Sequence, residues 1–158
     1  MPPIPEDIVE LLEGGVSILV GTRDAESRPE VARAVGCSVS RDRREVTIYL
    51  HEAWGAKALV NLQANREIAV GFSRPLDNFA IQLKGKCTQF VPASEGDRTT
   101  VDRYHATYGE QLYMTGFPRS TTRRFIFWPA VAVTFGVRDI FVQTPGPDAG
   151  KRLEGPAR

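Results

Sequence analysis

Residues 45–65 read Glu45-Val46-Thr47-Ile48-Tyr49-Leu50-His51-Glu52-Ala53-Trp54-Gly55-Ala56-Lys57-Ala58-Leu59-Val60-Asn61-Leu62-Gln63-Ala64-Asn65. Within this stretch the apolar period changes. Val46, Ile48 and Leu50 alternate, as a strand with one buried face requires, whereas Ala56, Leu59, Val60 and Leu62 recur at helical spacing and Asn65 ends the run. A strand therefore runs directly into a short helix. Upstream, Val16–Thr22 is an apolar, β-branched run, Arg23–Pro29 is a polar turn, and Glu30–Ser40 is rich in valine and small residues. Together these predict a hairpin, and the polar Arg41–Arg44 predicts a second turn before the third strand.

Ahead of the hairpin, Pro5-Glu6-Asp7 precedes Ile8, Leu11 and Leu12, and Gly14-Gly15 follows. That is a short amphipathic helix with acids at its positive end. Downstream, Glu67–Phe72 and Phe79–Val91 predict two more strands around a turn at Ser73–Asn78, the second alternating at Phe79, Ile81 and Leu83. Ser94 with Asp97 three residues on resembles a capping box and opens a helix to about Tyr108. Gly109–Thr122 reads as irregular, Phe125–Phe135 as one or two strands, and Ile140–Gln143 as a short extended piece. About six strands without βαβ alternation predict a mostly β (α+β) domain, an antiparallel barrel or sandwich with short helices outside. Residues 1–143 form one domain in this reading. Residues 144–158, with three prolines and three glycines, form a tail expected to be mobile unless a partner pins it.

Composition narrows the functional classes. The 158 residues are 42% hydrophobic and 25% charged, ordinary for a globular chain that can bury roughly 69% of its unfolded surface. Twenty Lys and Arg against nineteen Asp and Glu leave a formal charge of +1, so no global field favours nucleic acid or an anionic membrane. Any bound anion must be held by a local cluster. The best apolar run, Phe125–Val137, is about 13 residues and contains Pro129, short of the ~18 that a span requires. Met1–Asp7 shows no secretory pattern, and Cys37 and Cys87 are expected as buried, reduced thiols, so a cytoplasmic protein is expected. Two histidines and two unpaired cysteines do not make a zinc set, and no metal is expected.

Two cations stand out. Arg33 lies in an otherwise apolar strand, where its charge needs a partner or a polar ligand. Lys57 lies in the first turn of the helix after the third strand, where it works against the helix dipole by roughly 0.3–1 kcal/mol. An anion at that helix N-terminus turns the penalty into an advantage, because backbone N–H groups and Lys57 then converge on it. The alternative is that Arg33 salt-bridges a neighbouring acid and Lys57 is a solvated surface residue. His51 could relay a proton or serve as a structural residue at a strand end. Trp54 could stack on a ligand or cap the barrel rim, and Arg119, Arg123 and Arg124 form a local basic cluster in what reads as a solvated loop. No Gly-x-Ser-x-Gly elbow occurs.

Val16–Thr22 with Arg28-Pro29, then Arg33-Ala34-Val35, then Ile48-Tyr49-Leu50-His51 with Lys57, Asn61-Leu62 and Asn65, and finally Gln82-Leu83-Lys84-Gly85, resemble the pyridoxamine 5'-phosphate oxidase-like, FMN-binding split barrels. The resemblance covers roughly Ile8–Val142 and rests on order and spacing. It implies a six-stranded antiparallel split β-barrel with flanking short helices, paired with a second copy, with FMN in the clefts of the homodimer interface. It implies hydride transfer through the flavin to or from a small-molecule substrate or a nicotinamide donor. By the same resemblance Arg33 and Lys57 would hold the phosphate, with Leu50, His51 and Ala56 beside the phosphate and ribityl chain. Ala34 and Val35 would lie along the ring edge, and Gln82 would hydrogen-bond ribityl or ring. The departures are as informative. The family's lysine five residues past the arginine is Ser38, and its hydroxyl two residues before the helix lysine is Gly55. Its Tyr, Arg, Ser series spaced by four is missing around Tyr104–Leu112, and the closing stretch reads Lys151-Arg152-Leu153-Glu154 where the family has Arg-Leu-His-x-Arg. Pyridoxamine phosphate is therefore not the expected substrate. A non-catalytic flavin store or sensor, a deazaflavin or haem binder, and an empty interaction module are the alternatives.

Overall fold

The computed structural model describes residues 3–153. Six strands, β1 (Ser17–Arg23), β2 (Pro29–Val39), β3 (Glu45–His51), β4 (Glu67–Ser73), β5 (Ala80–Pro92) and β6 (Ala130–Val142), close into a barrel in the order β1-β2-β3-β6-β5-β4. Every pairing is antiparallel. Closure comes from β1 against β4, which leaves neither strand with an open edge. The alternation in the sequence is the reason for the shape: Ile18 and Val20, Val46, Ile48 and Leu50, Val70 and Phe72, Ile81 and Leu83, Val133 and Phe135 are all buried and belong to one core. The six expected strands and the split-barrel architecture are thus what the chain adopts.

Helices close and flank the barrel. α1 (Glu6–Leu12) starts after Pro5 and buries Ile8, Leu11 and Leu12. α2 (Glu52–Asn65) follows β3 without a loop, buries Ala58, Asn61 and Leu62, and ends at Arg66 in the left-handed conformation. Asn61 Nδ2 donates to Thr22 Oγ1 at 3.1 Å, so the one buried amide of α2 is satisfied across the barrel end. α3 (Glu95–Met114) begins with the expected capping box: Asp97 N donates to Ser94 Oγ, and Ser94 N donates to the Asp97 carboxylate at 2.8 Å.

Three readings of the sequence need correction. α3 does not stop near Tyr108 but continues to Met114, and a further turn of helix, α4 (Arg119–Thr122), follows, so Gly109–Thr122 is mostly helical. Gly109 passes as a helical residue because a Cβ there would crowd the Thr122 side chain at 3.3 Å; the glycine lets α4 approach. Phe125–Pro129 is not strand, and β6 runs unbroken from Ala130 to Val142, absorbing the expected separate piece at Ile140 through a register shift against β5 at Lys84/Gly85. Thr144–Leu153 is held by its own chain: Gly150 N donates to Val142 O at 2.7 Å, Leu153 N to Ile140 O at 2.8 Å, and Arg152 pairs with Asp139 at 2.5 Å. The remainder of the tail, 154–158, lies outside the described residues, as do the first two of the Met1–Asp7 stretch. Cys37 and Cys87 are free and buried, and burial pushes both thiols up.

One register shift organises the functional face. Ala34 pairs with Leu50 and Cys37 with Ile48, so Val35 and Gly36 together oppose the single residue Tyr49. This is a β-bulge. Ala34 and Cys37 both stay in the barrel core, while Val35 packs outside with Tyr49, Val101, Ala130 and Ala132, under α3.

The close passage of β5 and β6 provides a stability test. A Cβ on Gly85 would lie 2.0 Å from the Gly136 carbonyl oxygen, whereas a Cβ on Gly136 meets nothing within 4 Å. Gly85→Ala is expected to destabilise by about 3 kcal/mol and Gly136→Ala by under about 1 kcal/mol, read from urea unfolding midpoints. Equal effects would show that this crossing is not tightly packed.

Candidate functional site

Strand parity sends Arg33 outward from the barrel. Its Nη1 donates to Ser17 Oγ at 3.0 Å and to the Tyr108 hydroxyl at 3.3 Å. No carboxylate pairs with it among the described residues, so its neutral partners orient the guanidinium without cancelling its charge. The expected alternative of an acidic partner is not what the structure contains. Beneath it lies Tyr104, whose hydroxyl is buried and has no hydrogen-bond partner among the described residues. Burial, and then the neighbouring Tyr108, push the Tyr104 phenol well above the usual tyrosine range; the nearby Arg33 charge opposes them and loses.

Arg33 lies at a cleft of about 370 Å³ between the outer face of β2, α3 and the segment carrying α4. Val35, Trp54 and Leu112 line it together with Tyr104, Tyr108, Phe117, Phe125 and Phe127. The aromatic walls support one another. Tyr104 stacks on Tyr108 at 5.4 Å between centroids, and Phe127 meets Tyr104, His105 and Phe125 edge-on. His105 Nε2 lies 2.9 Å from the Thr122 carbonyl oxygen and ties α3 to α4.

The N-terminus of α2 adjoins this cleft through Trp54. His51 ends β3 and occupies the N-cap position, but its side chain does not cap the helix. The His51 ring is buried, its Nδ1 has no partner among the described residues, and it stacks on Trp54 at 4.3 Å. Glu52 N is taken by the Pro129 carbonyl oxygen at 3.0 Å. Gly55 lets this first turn sit against β3, since a Cβ there would lie 2.9 Å from Leu50 Cβ. An uncapped helix start beside a buried, unpartnered imidazole nitrogen has the donor chemistry an anionic group requires, although Glu52 in the same turn opposes it.

The other expected residues divide by location. Ala34 and Leu50 face each other within the core, so only their backbone is available to a ligand. Ala56 and Lys57 lie exposed on α2, and Lys57 Nζ pairs with Glu30 Oε2 at 2.6 Å. Arg33 and Lys57 have no partner in common. Gln82, half-buried on the outer face of β5, lines a separate groove of about 250 Å³ with Leu19, Gly71 and Gln143. Ser17 joins the two regions, lining that groove while holding Arg33. The basic cluster is partly spent, since Arg119 pairs with Glu110 and lies over the Tyr113 ring. No group of metal ligands occurs among the described residues. No helix among them is long and apolar enough to cross a membrane. Sequence reasoning missed Ser17 and the aromatic wall. The signal for the wall was the spacing of Tyr104, Tyr108 and Leu112 at i, i+4 and i+8, hidden by ending the helix at Gly109.

The fold recurs in solved structures. A protein of Lactobacillus delbrueckii provisionally named a pyridoxamine 5'-phosphate oxidase superposes with a TM-score of 0.58 at 13% identity, covering 90% of this chain and 96% of its own. An F420 reductase gives 0.59 at 15% identity, covering 87% and 98%. HupZ of Group A Streptococcus gives 0.57 at 16% identity, covering 93% and 99%. No protein-family model matches the sequence, and no curated protein matches it. At these identities the likeness is one of fold.

The buried phenol gives a pH prediction. With the Tyr104 pKa raised in the folded chain above the ordinary 10.0, the unfolded chain loses that proton first as pH rises. The contribution is intact below about pH 10 and declines above it. Urea midpoints should fall between pH 9 and 11, less steeply in Tyr104→Phe; an identical fall in both proteins would place the titration elsewhere.

Proposed function

We propose that this chain is an FMN-binding oxidoreductase of the split-barrel type, acting as a homodimer on a small molecule other than pyridoxamine phosphate, with a nicotinamide donor as the electron source. The observation that carries the reading is Arg33: a guanidinium oriented by Ser17 and Tyr108, with no carboxylate against it, at the edge of an aromatic cleft. An anionic phosphate is the group such a guanidinium suits, and the aromatic cleft beside it leaves room for a second, flat molecule. FMN carries such a phosphate, and the barrel's structural neighbours, named for oxidase and reductase activities, support the same class.

When bound, FMN supplies two-electron chemistry, accepting or giving hydride at its N5 atom. The residues of the chain bind and orient. Arg33 and Lys57 hold the phosphate, Lys57 leaving Glu30 to do so, and the first turn of α2 contributes N–H donors. The β2 backbone at Ala34 and Val35 would be available to the ring, Leu50, His51 and Ala56 would serve the phosphate side, and Gln82 would serve as a hydrogen-bonding partner for ribityl or ring. His51 Nδ1, buried and without a partner among the described residues, is the imidazole nitrogen that would hold a proton there. The aromatic wall excludes water. A deazaflavin in the same place is the second reading, favoured by the likeness to an F420 reductase.

Purified protein should carry a visible flavin spectrum and release FMN on denaturation; a released deazaflavin selects the second reading, and a colourless protein that ignores both added FMN and added deazaflavin overturns both. Arg33→Ala and Lys57→Ala should each weaken FMN binding by roughly 1.5–3 kcal/mol in fluorescence titrations. His51→Gln should retain FMN and alter the pH profile of reduction, and an unaltered profile removes His51 from the chemistry.

A further inference from the structure

The cleft beside Arg33 has a composition that narrows what it can admit. Arg33 is the one charged residue in its lining. The rest of the wall is aromatic and aliphatic, apart from the Thr121 side chain and the two tyrosine hydroxyls. The Tyr104 hydroxyl is sealed beneath the surface. The Tyr108 hydroxyl accepts from Arg33 Nη1, and its own proton has no acceptor among the described residues. Apart from the Arg33 guanidinium, the wall therefore offers the Tyr108 and Thr121 hydroxyls as donors, and the Tyr108 hydroxyl lies beside Arg33 at the edge of the apolar recess.

We propose that the recess formed by Tyr108, Leu112, Phe117 and Phe127 selects a flat, uncharged aromatic molecule bearing a carbonyl group, whose oxygen accepts from the Tyr108 hydroxyl. This is the substrate class of the site, and it rests on the assignment of Arg33 to the cofactor phosphate. With that cation taken, a second anion in the recess has no counter-charge and loses its hydration for nothing. A planar uncharged ring loses little on leaving water and gains aromatic contact on three sides. About 370 Å³ is the size of a small-molecule site rather than of a peptide groove. The wall is also pre-formed, because the interlocked rings and the His105 tie to Thr122 hold it without a ligand.

The test uses two probes of nearly equal shape, 2-acetylnaphthalene and 2-naphthoate, titrated by calorimetry into FMN-loaded protein. The neutral ketone should bind once per chain, at least tenfold more tightly than the carboxylate, with FMN remaining bound. Leu112→Glu should weaken the ketone at least tenfold while FMN affinity, read separately from flavin fluorescence, stays unchanged. If that variant does not fold, Phe117→Ala, at an exposed position, should weaken the ketone about threefold or more. Absence of saturable ketone binding, equal or tighter binding of the carboxylate, or displacement of FMN by the ketone overturns the inference while leaving the flavin reading intact. If FMN does not bind at all, the flavin reading fails, and the inference, which takes Arg33 as occupied, fails with it. Preference for the ketone upholds the uncharged class, and preference for the carboxylate through Arg33 overturns it.

Discussion

The functional face depends on a single miscount between two strands. Val35 and Gly36 stand opposite Tyr49 alone, so β2 keeps Ala34 and Cys37 in the barrel core on either side of the bulge while Val35 turns outward. A regular ladder would leave Val35 facing outward as well but would turn Cys37 out of the core; the bulge returns Cys37 to it. Val35 and Tyr49, both outward by strand parity, form an apolar seat together with Ala130 and Ala132, and Val101 of α3 packs on it. Gly36 makes the approach feasible, since a Cβ there would come within 3.2 Å of the Tyr49 ring. Tyr49 in turn donates to Asp97 Oδ1 at 2.8 Å, so the residue opposite the bulge also anchors the start of α3.

Once α3 is fixed at its first turns, its later residues have little choice. Tyr104 and Tyr108 follow on the same helix face as Val101 and arrive over Arg33, two residues before the bulge. The consequence is electrostatic. A guanidinium tied to hydroxyls keeps its full charge and loses most of its freedom, which lowers the entropic cost of binding an anion. A carboxylate partner would have made a stronger local pair and a weaker binding site. Lys57 shows the contrast, because it is ion-paired to Glu30 on an exposed helix face, where such pairs contribute little to stability and exchange readily.

The barrel was legible in the sequence because its information is local. Val46, Ile48 and Leu50, or Phe79, Ile81 and Leu83, declare a buried face within six residues, and Ser94 with Asp97 declares a helix start within four. The site was legible in part. Arg33 announced itself as a charge in an apolar strand, and the helix carrying Lys57 followed from the change of period after Leu50. What stayed hidden is non-local. Nothing near Ser17 says that it will meet Arg33, sixteen residues on, because that contact depends on hairpin register. The length of α3 was misread for the same reason: Gly109 looks like a terminator until Thr122 is seen packed against it. The tail was misjudged on composition, since Pro and Gly content is silent about Lys151 and Leu153 rejoining β6 through backbone bonds.

These two sources of structure divide the site between them. The charge at Arg33 and the start of α2 rest on barrel strands, whose geometry is fixed by ladders on both sides and a closed core. The aromatic recess rests on the end of α3, on α4 and on Phe117–Phe127, held to the rest by His105, Thr122 and mutual ring contacts. Substitutions in the second part change the shape and polarity of the cleft without disturbing the ladder that positions the first. Under the proposed function, Arg33 and the start of α2 are therefore the part of the candidate site set by the barrel ladder, and the end of α3 with α4 and the following segment is the part that sets the shape of the cleft.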